Sequence, residues 1–338
     1  MPQFVDLAAI RQVTANGVGT YEALRNTQTL NAQGDKTLAR AEELLRRAGF
    51  GHLLNNAPLA PAPAAPSALE GMVAGYSRVQ QGYADLQAAI YDLARAQIRA
   101  GACPDAQRTL DALAGLDAHY RDVSDLQATL PFLATFELID IPAGEFLAGE
   151  NKQRLSLPEF FIARTPITVA QFAIFVETTG YGYSFRDALQ DKQHADHPVV
   201  NVSFYDAIAF CEWASNLLGR TIRLPTEHEW EKAARGGDGR AYPWGNEPPD
   251  ATRCNFASSD TASDTTPVGK FSPRGDSPYG CVDMAGNVCE WTSSPHAAGG
   301  YVARGGSWNN VAADLRVTHR LRYLPNFPLN RVGFRCAA

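Results

Sequence analysis

Arg304-Gly305-Gly306-Ser307-Trp308 and, a short way on, Gly333-Phe334-Arg335-Cys336 enclose the part of the chain whose reading decides the fold. The first sets a Gly pair before a small polar residue and an aromatic, the pattern of a tight turn leading to an anchor. The second reads as a short apolar strand. Both are framework. Between them, Asn309 to Arg331 keeps neither a helical nor a strand period and mixes aromatic, aliphatic and Arg residues. A run of this kind between two fixed ends is where contact with a ligand is expected.

Working outward, Ser203 to Leu218 reads as an amphipathic helix with Ala207, Phe210, Cys211 and Ala214 inward. Leu224-Pro225-Thr226 followed by Glu229 has the spacing of an N-cap with a carboxylate at the third helical position. Phe136 to Phe146 alternates and then turns, as an antiparallel strand pair would. Gly, Pro, Asn and Trp are frequent from Pro131 onward, so the composition changes there and a domain is expected over 131–338.

Residues 1–130 read as an α-helical region. Leu38, Ala41, Leu44 and Leu45 share a face that ends at Gly49, and a Pro/Ala-rich linker follows at 57–66. Ser67 with Glu70 resembles a capping box, and Met72 to Ile98 keeps helical spacing up to Gly101. Pro104 opens a further helix carrying Leu110, Leu113, Leu116, Tyr120 and Val123. The role expected of this region is docking or self-association.

At 338 residues the chain can bury one large core or two ordinary ones. A formal charge of −6 argues against a nucleic-acid partner, which calls for a broad basic face. No apolar stretch is long enough for membrane insertion, and Met1 to Asp6 lacks a signal-peptide start, so the expected compartment is cytoplasmic. The six cysteines have no zinc-type spacing and read as buried, unpaired thiols.

Several segments occur in an order that carries a resemblance: Ile141-Pro142-Ala143-Gly144-Glu145-Phe146, Thr165 to Phe172, His197 to Phe204, Arg223 to Gly236, Tyr242-Pro243-Trp244-Gly245, Met284 to Trp291, and the two framework motifs above. Together they resemble the formylglycine-generating-enzyme (sulfatase-modifying factor) family. The resemblance covers 131–338 and implies an α+β chain: a C-type lectin-like domain of that subclass preceded by an α-helical region. In the enzymes of the family, two cysteines shortly after Arg-Gly-Gly-Ser bind copper and attack the substrate. Those positions fall on Asn310 and Leu315, and neither can supply the thiolate this chemistry requires. The ergothioneine-synthesis relatives use a three-histidine iron site fed partly by an N-terminal bundle. Here that region offers His52 and His119 with no matching pair, so neither copper nor iron is expected. His194, His197 and His228 read as structural.

The resemblance also implies a structural calcium ion, with Asp283 and Glu290 as side-chain ligands, carbonyls from Gly286 and Val288, and Asn255 serving a second site. The other reading is that Glu290 accepts backbone hydrogen bonds in a buried turn.

The run from Asn309 to Arg331 is itself similar to the variable region of diversity-generating retroelement variable proteins, which place adenine-randomised codons at the C-terminus of such a domain. Randomising the adenines of an AAC codon never yields Lys, Glu, Gln, Met or Trp. None of these occurs from Asn309 to Ala338, where the chain's composition would give roughly four. The contact residues expected on this basis are Trp308, Asn310, Val311, Ala312, Ala313, Val317, His319, Leu321, Tyr323, Leu324, Phe327 and Leu329. The function expected is non-catalytic binding of an unidentified, expected protein, ligand by a variable surface at 309–331. The alternative is a metal-dependent oxidoreductase of the formylglycine-generating or ergothioneine-synthesis type acting on a peptide or small thiol.

Overall fold

A computed structural model describes residues 68–115, 117–257 and 263–338. The helix read at Leu38 to Leu45, the linker at 57–66, the Ser67 cap, His52 and Leu116 lie outside the described residues. Two units divide between Ala134 and Thr135.

The first unit is helical. Helix α1 (Ala68–Arg99) ends before Gly101, whose φ of 71° is the left-handed conformation glycine takes at low cost. Leu86, Ile90, Leu93 and Ile98 are buried, as their spacing requires. Helix α2 (Cys103–Ala114) carries Pro104 in its first turn and buries Leu110 and Leu113. It stops at Gly115, so Val123 does not belong to it. Val123 instead opens α3 (Val123–Thr135), which runs straight through Pro131. The change in composition at Pro131 is therefore not a helix end. Leu126, Leu130 and Phe132 are buried along α3. At about 1.5–3 kcal/mol per buried side chain, their burial outweighs the roughly 3 kcal/mol cost of an interior proline.

In the second unit, β1 (Leu138–Ile141) pairs antiparallel with β4 (Phe160–Ala163), and β2 (Gly144–Ala148) pairs antiparallel with β3 (Gln153–Leu157). The two strands read over 136–146 exist, but they do not pair with each other. Alternation specifies which face of a strand is buried, and the partner comes from tertiary packing. Here Ile141 packs with Phe160 and Ile162 around Trp230.

Three helices follow, each opened by a reciprocal cap. Thr168 and Gln171 cap α4 (Val169–Thr179), Ser203 and Asp206 cap α5 (Phe204–Leu218), and Thr226 and Glu229 cap α6 (Glu227–Arg235). Phe204, Ala207, Phe210, Cys211, Ala214 and Leu217 form the buried face of α5.

The sheet that positions the site comprises β5 (Cys289–Pro295), β6 (Tyr301–Arg304), β7 (Leu321–Tyr323) and β8 (Val332–Phe334), in the order β7-β6-β5-β8. Strands β5 and β8 are parallel, with Glu290 opposite Gly333 and Trp291 opposite Phe334. The two framework motifs of the sequence are thus brought to β5 from either side, β6 leading into one and β8 carrying the other. The run between them leaves β6, adds β7 as an edge strand and returns through β8. No helix among the described residues is long and apolar enough to cross a membrane.

Candidate ligand-binding surface

The start of the run is tied down by side chains. The Asn310 carboxamide oxygen accepts from the Ser307 N–H at 3.0 Å and from Ser307 Oγ at 2.6 Å, while its Nδ2 donates to Asp314 at 2.9 Å. Asn310 is therefore a turn-forming residue as much as a surface one. Leu315, closing the 3-10 turn Ala312–Leu315, is 0% exposed and packs with Tyr242, Phe256 and Ala285. Val317 is also 0% exposed and joins the cluster around Trp230. This corrects the reading of Val317 as a contact residue. An aperiodic run gives no pattern from which one inward-facing valine can be picked out.

Beyond β7 the attachment is different in kind. The Phe204 N–H donates to Pro325 O at 3.0 Å and the Asn201 N–H to Leu329 O at 2.9 Å. The Cys289 N–H donates to Arg331 O at 2.9 Å, and the Trp308 indole to Asn330 O at 3.3 Å. Within the loop, the Phe327 N–H reaches Leu324 O at 3.2 Å. Every one of these bonds uses a carbonyl of the loop. Two of its large apolar side chains are left outside, with Leu324 48% and Phe327 61% exposed. Val311 is 55% exposed at the other end of the run.

Of the remaining expected contacts, Ala313 is exposed, and Trp308, Ala312, His319, Leu321, Tyr323 and Leu329 are half-buried. Tyr323 packs edge-on to Trp291, with ring centroids 6.0 Å apart, and burial pushes its hydroxyl up to about 12. His319 Nε2 lies 3.6 Å from Asp314. Arg320 is held to Glu227 by two contacts of 2.7 and 2.8 Å, so it anchors the run to α6.

Sequence reasoning missed Tyr205. It is 52% exposed on the first turn of α5, one residue from the Phe204 N–H that holds Pro325. The available signal was an aromatic beside a helix cap, outside the inward set of Ala207, Phe210, Cys211 and Ala214.

The residues expected to hold calcium are brought together, but the central one is occupied. Glu290 is 0% exposed, and its carboxylate accepts Arg335 Nε at 2.6 Å, Arg335 Nη2 at 2.7 Å and Trp230 Nε1 at 2.7 Å. This corrects both earlier readings of Glu290: its oxygens face a guanidinium and an indole, not an ion or backbone N–H groups. The set implied by the resemblance does not fit calcium through Glu290. Asp283 accepts from the Gly269 N–H at 2.6 Å, and burial pushes its carboxyl up to about 6. The Asn255 carbonyl accepts from the Asn287 N–H, and its side chain donates to Asp264 O. Gly286 has φ of 76°, and a Cβ there would stand 2.2 Å from Asn255 O. Val288 is buried in the same segment.

Five of the six thiols are buried; Cys103, at the start of α2, is half-buried, against the expectation for it. Burial pushes Cys289, which lies 3.8 Å from Asn310 Oδ1, up to about 12. Cys336 is 0% exposed and its sulfur lies 3.8 Å from that of Cys211. A buried thiol in apolar surroundings is a poor nucleophile at neutral pH.

Residues 127–338 match the sulfatase-modifying factor enzyme 1-like domain, and the chain belongs to that family. Inactive C-alpha-formylglycine-generating enzyme 2 of Bos taurus is 31% identical over 274 residues, spanning 60% of this chain and 88% of its own. The formylglycine-generating enzyme of Thermomonospora curvata is 31% identical over 290 residues, spanning 60% and 93%. Among solved structures, Treponema denticola variable protein 1 overlaps 60% of this chain and 95% of its own at 24% identity, with a TM-score of 0.49. Relatives with an enzyme's name and with an inactive one thus share the same identity to this chain, so family membership alone does not decide the chemistry.

Proposed function

We propose that this chain is a non-catalytic, receptor-like binding protein whose C-terminal run, residues 309–331, is a diversified surface of the kind carried by diversity-generating retroelement variable proteins. The observation that carries the reading is how the loop after β7 is held. Carbonyls of Pro325, Leu329, Asn330 and Arg331 fix its path, while Leu324 and Phe327 face solvent. A loop held by main-chain groups keeps its shape whatever side chains it carries. Large exposed apolar groups that serve no core mark a contact surface. Tyr205 adds an anchor from outside the run. The missing Lys, Glu, Gln, Met and Trp after Trp308 fit diversification at adenines.

Against the enzymatic alternative stand Asn310 and Leu315. One is committed to Ser307 and Asp314, the other is core, and neither ligates copper. The calcium role is assigned to Asp283 and neighbouring carbonyls, without Glu290.

The deciding experiment is to sequence the DNA flanking the gene. The expected finding is a near-copy of the codons for 309–331 beside a reverse-transcriptase gene, with differences at its adenines. A flank with neither element overturns the retroelement origin. Stoichiometric copper in the purified protein, with turnover of a cysteine-containing peptide, overturns the non-catalytic reading.

A further inference from the structure

A cleft of about 300 Å³ opens in the second unit, lined by Trp244, Glu247, Thr252, Arg253 and Arg274. Its aromatic wall is layered. Trp244 stacks on Tyr242 with centroids 5.3 Å apart and planes 2° from parallel. Arg316 lies 5.8 Å from the Tyr242 ring, and Arg253 lies 6.0 Å from the Trp244 ring. The cleft adjoins the run: the Tyr242 hydroxyl donates to Ala312 O at 3.4 Å, and Trp244 and Ala312 pack on one core cluster.

The backbone brings two guanidinium-bearing residues to this cleft. Gly275 lies so close to the main chain of Arg253 that a Cβ there would stand 2.2 Å from Arg253 O, which sets Arg274 beside Arg253. Asp250 meets the charge of Arg253. It accepts from Thr252 N at 2.8 Å and Thr252 Oγ1 at 2.6 Å, and faces Arg253 Nε at 3.2 Å. Glu247 is the acidic residue of the lining. It is exposed, and its main-chain oxygen accepts the Trp244 indole at 3.0 Å. Among the described residues, no hydrogen bond or ion pair engages Arg274. Arg253 is thus matched by Asp250, while Arg274, which acts on Asp250 only at longer range, keeps its planar donors open beside an aromatic face, the chemistry that receives a carboxylate in a forked contact.

We propose that this cleft is a subsite for a carboxylate beside the run. Its natural occupant would be an Asp or Glu side chain of the bound protein; that identity rests on the receptor reading, whereas the subsite itself does not. The surface thus divides into a diversified apolar part and a polar part that orients the partner.

The test uses the full chain labelled with ¹⁵N and follows the Trp244 indole N–H, assigned with W244F. The probes are the peptide acetyl-Gly-Glu-Gly-amide, its Gln counterpart and inorganic phosphate. The expected result is a saturable shift with the Glu peptide in the millimolar range, weakened about tenfold or more by the Gln probe or by R274Q. No saturable shift with the Glu peptide, or an equal response from the Gln probe, overturns the subsite. Phosphate binding more tightly than the Glu peptide overturns its assignment to a carboxylate. R274Q must melt like the parent, since Arg274 is exposed; a large fall in melting temperature means Arg274 is structural and also overturns the proposal. The probes bypass the partner, so failure of the cleft and failure of the receptor reading are seen separately.

Discussion

Arg335 grips Glu290 with one edge of its guanidinium, through Nε at 2.6 Å and Nη2 at 2.7 Å, and the pair is sealed from water. The rest of the guanidinium is spoken for as well: Nη1 donates to Ala163 O and Arg164 O, and Nη2 also to Val282 O. The pair therefore ties β8 and β5 to the end of β4. Removing one member of such a pair leaves a buried charge uncompensated, which costs about 3–5 kcal/mol. E290Q is expected to lower stability by that amount in urea melts. Chelation of calcium with EGTA is expected to leave the melting temperature of the parent unchanged. A fall on chelation in the parent and not in E290Q would mean that Glu290 exchanges Arg335 for the ion, and a fall in both would place the ion on Asp283 and its neighbouring carbonyls.

Substitutions along the run should fall into two classes. L324A and F327A remove exposed side chains and are expected to shift unfolding free energy by no more than about 0.5 kcal/mol. L315A removes a fully buried one and is expected to cost about 2–5 kcal/mol. Equal losses at all three positions in chemical denaturation would end the distinction between display and core.

Asn310 carries the turn that precedes the display region. N310A leaves the Ser307 N–H without its acceptor and the Ser307 hydroxyl with Asn309 Oδ1 alone, and is expected to cost about 1–3 kcal/mol. N310C combined with L315C would restore thiols at the two positions but lose those bonds. The double variant is expected to be less stable than the parent and to bind no stoichiometric copper under metal analysis.

The Glu229 carboxylate gives the clearest pH dependence. Burial alone would raise it, but Arg223 at 2.6 and 2.7 Å and the Thr226 N–H at 2.7 Å hold it below the usual carboxylate range. A depressed carboxylate stabilises the fold above its unfolded value of about 4.3 and loses that contribution as pH falls through the folded value. Parent stability should therefore drop on acidification below about pH 4.3 by more than that of E229Q, which is already weaker at neutral pH. Parallel pH profiles for the two proteins would contradict this.

Local signals in the sequence carried through to structure where they were chemically complete within a few residues. The cap at Thr226 and the inward face of α5 needed no distant partner, so their spacing was enough. Strand pairing was not legible, because Leu138 to Ile141 alternates the same way whichever strand lies beside it. Glu290 was misread for a related reason: its partner Arg335 is 45 residues away, and only the parallel β5–β8 pairing brings them together. Val317 was misread because a buried residue inside an aperiodic run lacks a period that would reveal which way it faces, whereas the period of α5 does turn Tyr205 outward.

The main-chain suspension of residues 324–331 bears on how this segment changes over generations. Selection on protein abundance removes variants that unfold. Here it has little to act on, since exchanging Leu324 or Phe327 leaves the bonds at Pro325, Leu329 and Arg331 in place. Inherited changes at these positions would be filtered by what the protein captures, and scarcely at all by how much of it survives in the cell.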